Sequence, residues 1–201
     1  MMNERDLVLH ATAIKRHAPI GAIAALAGLP EARAAAVLDQ AVATGRAMAA
    51  NGAYVLTPLA GVALQARYAR AFADLRADRD FVAAYEAFER INVTLKQIIT
   101  DWQTLDVGGV KIANDHRDKA HDARIIDRLG GLHEQAEPIL ARLAKKLPRL
   151  TYYSDKLMAA LEAAEDGDPE WVSDIRRDSY HTVWFEFHEE VLRIMGRARE
   201  E

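Results

Sequence analysis

Two polar clusters carry the side chains best able to do chemistry. The first is Asn114-Asp115-His116-Arg117-Asp118-Lys119-Ala120-His121-Asp122. Read as a helix, it sets Asp118, His121 and Asp122 at i, i+3 and i+4, so they can converge on one patch, with Arg117 four residues before His121. Aspartate and histidine so placed can hold a divalent cation or form an acid–base pair, because neutral imidazole ligates metals and a carboxylate orients it. The same residues also suit a solvated helix start: Asn114 or Asp115 as cap, carboxylates in the first turn, and ion pairs to Arg117 and Lys119. Spacing does not choose between these readings, and no metal is assigned.

The second cluster is Asp178-Ser179-Tyr180-His181-Thr182-Val183-Trp184-Phe185-Glu186-Phe187-His188-Glu189. His181 and His188 share a helix face but stand roughly 10 Å apart along its axis, too far for one ion to bridge. In a helix otherwise lined by Trp184, Phe185 and Phe187 they need partners, because buried polar groups left unpaired are costly. Asp101, the 115–122 carboxylates or Arg124 could supply them, which would make a polar pocket inside a helical bundle. Core histidines satisfied by such neighbours are the competing reading. Thr100-Asp101-Trp102-Gln103 offers a third wall or, equally simply, a helix end with a packed indole. Lys145-Lys146 with Arg142 and Arg149 is a small basic patch near a helix end. No GxxxxGK, GxGxxG, HExxH or GxSxG sequence occurs, so self-contained nucleotide hydrolysis or serine-hydrolase chemistry has no visible machinery.

The elements that must hold these clusters follow from periodicity. The chain has 201 residues, half of them hydrophobic, which is enough to fill a core and excludes disorder as the default. It has no cysteine, which removes disulfides, thiolate zinc sites, iron–sulfur clusters and cysteine nucleophiles together. No stretch approaches eighteen apolar residues, and MMNERDLVLH is unlike a signal peptide, so a cytoplasmic protein without membrane contact is expected.

Residues 1–60 read as three short helices, about 4–17, 21–27 and 30–45, with Pro19, Gly28 and Gly45 as breaks. Asn51-Gly52 then sits between two β-compatible runs, a hairpin signal with Met48, Tyr54 and Leu56 facing inward. The fold class is therefore mainly α: an N-terminal winged helix-turn-helix over 1–60, followed by an antiparallel helical bundle over 61–201. In the bundle, helices are expected from Pro58 to Asp74, Asp80 to Trp102, Asp115 to Leu147, Tyr152 to Ala164 and Asp178 to Arg197. Gly108-Gly109 reads as irregular, and Gly130-Gly131 and Pro138 as kinks or breaks.

A winged helix invites the question of DNA. Arg33, Gln40 and Arg46 are the side chains able to reach it, but residues 1–60 hold five cations against four carboxylates. The wing tip Ala49-Ala50-Asn51-Gly52 has no cation either. That is a weak electrostatic footprint, since non-specific affinity comes from neutralising phosphates, so protein contact is the favoured use of the winged helix. A homodimer is compatible with either use.

Four segments carry a more specific likeness: YEAFERINVTLKQIITDWQ (85–103), NDHRDKAHDARIIDRL (114–129), LPRLTYYSDKLMAAL (147–161) and DSYHTVWFEFHEEVLRIMG (178–196). Together they resemble a winged-helix plus helical-bundle module at the C-terminus of some bacterial proteins related to pyruvate phosphate dikinase and phosphoenolpyruvate (PEP) synthase. The likeness covers about residues 5–197. It implies site positions at Asp101, Trp102, Asn114, Asp115, His116, Asp122, Tyr180, His181, Trp184 and His188. The nucleotide-binding and phosphohistidine domains of those enzymes are missing, so the chain is not a complete dikinase. What the resemblance implies is a small-molecule-binding or accessory subunit of a PEP-utilising phosphotransfer system. Its partner would be a separate nucleotide-binding or phosphohistidine polypeptide, and its cofactor and catalytic residues stay open. The alternative is a ligand-responsive transcription regulator.

Overall fold

A computed structural model describes residues 2–198 and shows a mainly helical chain. It divides into two compact units, one reaching to Asp78 and taking up the segment from His188 onward, the other Arg79–Phe187. Among the described residues no single helix is long and apolar enough to cross a membrane.

The first unit contains α1 (Glu4–Lys15), β1 (Ala18–Pro19), α2 (Ile20–Ala27), α3 (Glu31–Ala43), β2 (Ala47–Ala50), β3 (Ala53–Leu56), α4 (Pro58–Ala71) and the short α5 (Ala73–Ala77). Local chemistry sets these boundaries. Asn3 caps α1 by accepting from the Asp6 amide at 2.9 Å. Gly28 closes α2 in the left-handed region at φ 67°, where Cβ would be penalised. Asn51 and Gly52, at φ 53° and 76°, form the two-residue turn expected between β2 and β3. Thr57 ties the end of β3 to the start of α4, donating to the Gly45 carbonyl at 3.0 Å and accepting from the Ala60 amide. The strands form an antiparallel sheet of order β1-β3-β2. The register sets the buried Ala18 and Ala47 on the same face as Tyr54 and Leu56, which are half-buried, whereas Met48 stands on the other face beside Val55 and is 55% exposed, so of the expected inward set Met48 is the one that fails.

The second unit contains α6 (Arg79–Gln103), β4 (Thr104–Val107), β5 (Val110–Ala113), α7 (Lys119–Lys146), α8 (Thr151–Glu165), α9 (Glu170–Ser173) and the first part of α10 (Tyr180–Met195). Helices α6 and α7 pack along each other, and α8 packs on α7. The helical spacing of Phe81, Ala84, Tyr85, Phe88, Ile91, Leu95 and Ile98 marks the buried face of α6, and all are buried except Ile91, which is half-buried. Three expectations need correction. Gly108-Gly109 is not irregular: at φ 64° and 85° it forms a two-residue turn that pairs β4 with β5 from Thr104↔Ala113 to Val107↔Val110. Helix α7 begins at Lys119 rather than near Asp115, because Asp118 is its N-cap and accepts from the His121 amide at 3.0 Å. The helix then continues through Gly130-Gly131 and Pro138, so these residues do not divide it. Gly130 serves a close approach instead, for a Cβ there would lie 3.2 Å from Glu165 Oε1.

Candidate functional site

The site is assembled where α6 ends. Trp102, 3% exposed, anchors the last turn of α6 in the core, and the β4–β5 hairpin returns the chain so that the Asn114 amide donates to the Gln103 carbonyl at 2.9 Å. Asn114 is thereby fixed beside that helix end. Its side-chain Nδ2 donates to the Trp102 carbonyl at 2.9 Å and to Asp122 Oδ1 at 3.1 Å, while its Oδ1 accepts from the His116 amide at 3.0 Å. Holding that amide in place puts His116 in the left-handed region at φ 59°, an uncommon conformation that histidine tolerates better than most residues. The imidazole lies against the Trp102 indole, centroids 4.5 Å apart, and its Nδ1 is 3.1 Å from Asp122 Oδ1.

The Asn114 Nδ2 also stands 3.2 Å from His116 Nδ1, so that ring nitrogen meets both the amide and Asp122 Oδ1; in the tautomer protonated at Nδ1 the imidazole donates to the carboxylate, which only accepts when ionised. The His116 side chain is 36% exposed. Asp122 itself is 4% exposed. Its Oδ1 is satisfied twice, but its buried Oδ2 receives no hydrogen bond, the Lys119 ammonium standing 4.0 Å away. Asp122 forms part of the wall of a cavity of about 370 Å³ bounded by Lys119, Ile126 and Asp127 of α7, Glu165 of α8 and Pro169.

Of the positions the sequence implied, Trp102, Asn114, His116 and Asp122 come together, and among the described residues none of their polar partners lies on α10. Asp101 faces outward beside them, bonded to Arg128 at 2.8 Å and Gln97 at 2.6 Å. Partial burial works against its ionisation, but those two hydrogen bonds outweigh it and hold the carboxyl below its usual range. Its backbone carbonyl meets His121 Nε2 at 3.1 Å. Asp115 is exposed and pairs with Arg117. The expected patch of Asp118, His121 and Asp122 does not form as such, since Asp118 is spent on capping and His116 takes the place beside Asp122. Among the described residues no three histidine or carboxylate side chains converge on a metal position.

On α10, Tyr180, Trp184 and His188 are buried. The Trp184 indole donates to Asn92 Oδ1 at 3.0 Å, and Tyr180 stacks over it at 5.9 Å. His181 is half-buried, and the buried His188 belongs with the first unit. The Tyr180 hydroxyl stands 3.2 Å from Nδ1 of His133, a buried histidine that the sequence reading passed over. Burial pushes the His133 pKa down, against the pull of Glu137 and Glu165, and raises that of Tyr180. An unfolded histidine titrates near 6.5. Below about pH 6.5 the unfolded chain therefore binds a proton that folded His133 resists, and stability falls with falling pH. Urea midpoints between pH 7.5 and 5.5 should drop less steeply in His133→Gln than in the unaltered protein; equal slopes would remove this histidine from the account.

Sequence reasoning missed Asp127 and Glu165 as cavity walls. Glu165 lies 43 positions beyond Asp122, and only the paired glycines at 130–131 hinted that something approaches α7 closely. In the first unit, Arg33 is bound to Glu4 at 3.0 and 2.6 Å, while Gln40 and Arg46 are exposed. No family model, no curated protein and no solved structure matches the chain.

Proposed function

We propose that the chain is a cytoplasmic small-molecule-binding protein whose ligand enters the cavity beside Asp122, and that it works as an accessory subunit of a PEP-utilising phosphotransfer system. The observation that carries the binding reading is the buried Asp122 carboxylate in the cavity lining, braced on one oxygen by Asn114 and His116, with the other buried and without a hydrogen bond. Hydrogen bonds from Asn114 and His116 of this kind hold a ligand-contacting carboxylate in a fixed rotamer. The link to phosphotransfer rests on the four sequence segments alone.

The order α1–β1–α2–α3–β2–β3 with sheet order β1-β3-β2 supports a winged helix in the first unit. Its use in protein contact is favoured by the Arg33–Glu4 pair, which takes a cation away from phosphate, and by the exposed apolar side chains Val42 of α3 and Met48 of β2. The transcription-regulator alternative draws its support from the same element order. Amide shifts recorded by NMR while phosphoenolpyruvate, simple diamines, diols and dicarboxylates are titrated in turn test the binding reading. A saturable response confined to residues 119–127 and 164–169 is expected for at least one of them, and none for any would overturn it. A DNA mobility shift that weakens steeply with salt would favour the regulator.

A further inference from the structure

The charge and burial of the cavity wall define its ligand more narrowly than the binding reading on which this inference rests. The wall carries three carboxylates, Asp122, Asp127 and Glu165, against one ammonium, Lys119. Acidic side chains at a surface prove little, since water and salt satisfy them. Asp122 is different. It is 4% exposed, its Oδ2 has no hydrogen bond, and the Lys119 ammonium at 4.0 Å is too far to donate one. A buried carboxylate oxygen without a donor is costly, and the Asn114 and His116 bonds keep Oδ1 engaged so that the side chain cannot turn to relieve it. A ligand that donates a hydrogen bond and brings positive charge removes that cost; an anion would add to it.

The usual anion-attracting feature, the start of a helix, is already used here. Asp118 accepts from the His121 amide, and Asp122 sits in the first turn with its own negative charge toward the dipole. A bare metal ion fits poorly, because the carboxylates are spread over two helices and no three converge. Ile126, Ala123 and Ala164 between them offer apolar surface to a short alkyl chain.

We propose that this cavity binds an organic cation, a primary ammonium group donating to Asp122 Oδ2 while an alkyl chain lies over Ile126 and a second positive group meets Asp127 or Glu165. Lys119 then acts as the resident cation that the ligand displaces from the carboxylate.

The test uses 1,4-diaminobutane, with 1,4-butanediol and succinate as neutral and anionic compounds of the same chain length. Calorimetry and amide shifts on the full chain are expected to show saturable diamine binding at residues 119–127 and 164–169, with the diol and succinate at least about tenfold weaker. Asp122→Asn should weaken the diamine by about tenfold or more, the worth of one charge-assisted hydrogen bond. Lys119→Met should tighten it by about two- to fivefold, because an exposed like charge is removed. A gain of affinity cannot come from a damaged fold, so this variant decides the matter even if Asp122→Asn unfolds. Binding of succinate or phosphoenolpyruvate at these residues in preference to the diamine would overturn the cation inference and leave the binding reading standing. No response to any compound would overturn both, and a Lys119→Met protein that loses diamine affinity would overturn the displacement step.

Discussion

Trp184→Ala should lower the unfolding free energy by about 3–5 kcal/mol, the range for deleting a fully buried large aromatic. Trp184 is 1% exposed, with Phe88 stacked on it at 4.9 Å and Tyr180 at 5.9 Å, so neither neighbour can move in without giving up its own contacts. Part of the loss is polar. The indole donates to Asn92 Oδ1 at 3.0 Å, and Asn92 is itself 5% exposed, so removing the donor leaves a buried amide oxygen unsatisfied. Trp184→Phe separates the two contributions: the ring stack survives and the hydrogen bond does not, with an expected cost of about 1–3 kcal/mol. Adding Asn92→Leu to Trp184→Phe should recover much of that cost, because removing both partners is cheaper than removing one. Denaturant unfolding of the three variants measures this. A double variant no more stable than Trp184→Phe alone would show that the hydrogen bond is not what the indole nitrogen contributes.

The Trp184 environment also shows what the residues alone can and cannot reveal. Periodicity was enough to place α6 and α10 as buried helices, because an apolar stripe on a helix is written locally in steps of three and four. It was not enough to tell a polar pocket from a polar core. Tyr180 and Trp184 turn their polar atoms to His133 and Asn92, residues on other helices that no spacing rule connects to them. The β4–β5 hairpin was missed for a different reason. Its alternation of Leu105, Val107, Val110 and Ile112 around Gly108-Gly109 is a regular hairpin pattern, but it is short and lies between two long helical runs. Val107, Val110 and Ile112 are also largely exposed, so no burial demand reinforced it. That hairpin is what carries Asn114 back to the end of α6. Without it, His116 was expected on a helix, where it would have pointed away from Asp122, and the left-handed turn that joins them could not be foreseen.

The first unit offers the second large effect. His10 and Glu190 are 1% and 0% exposed, and Nε2 of the one stands 3.3 Å from Oε1 of the other. A carboxyl group so deep in the core has given up its hydration, and neighbouring polar groups replace what water supplied. The Tyr68 hydroxyl contacts His10 Nδ1 at 2.8 Å, and Arg193 is hydrogen-bonded to Tyr68 and Glu189, so His10 is held within a polar layer between α1, α4 and the end of α10. Truncating one member should therefore cost more than the packing it loses. His10→Ala is expected to destabilise by about 2–5 kcal/mol, the range for truncating a large buried side chain and leaving its polar neighbours without a partner. Replacing both residues, His10→Leu with Glu190→Leu, should cost less than the two single leucine changes added together, with a coupling of about 0.5–3 kcal/mol. The expectation follows from sign: each single change strands a polar partner, and the double change strands neither. Equilibrium unfolding of the two single variants and the double one closes the cycle. Additivity within about 0.5 kcal/mol would mean that imidazole and carboxylate are neighbours without being partners, and that the polar layer draws its stability from Tyr68 and Arg193 instead.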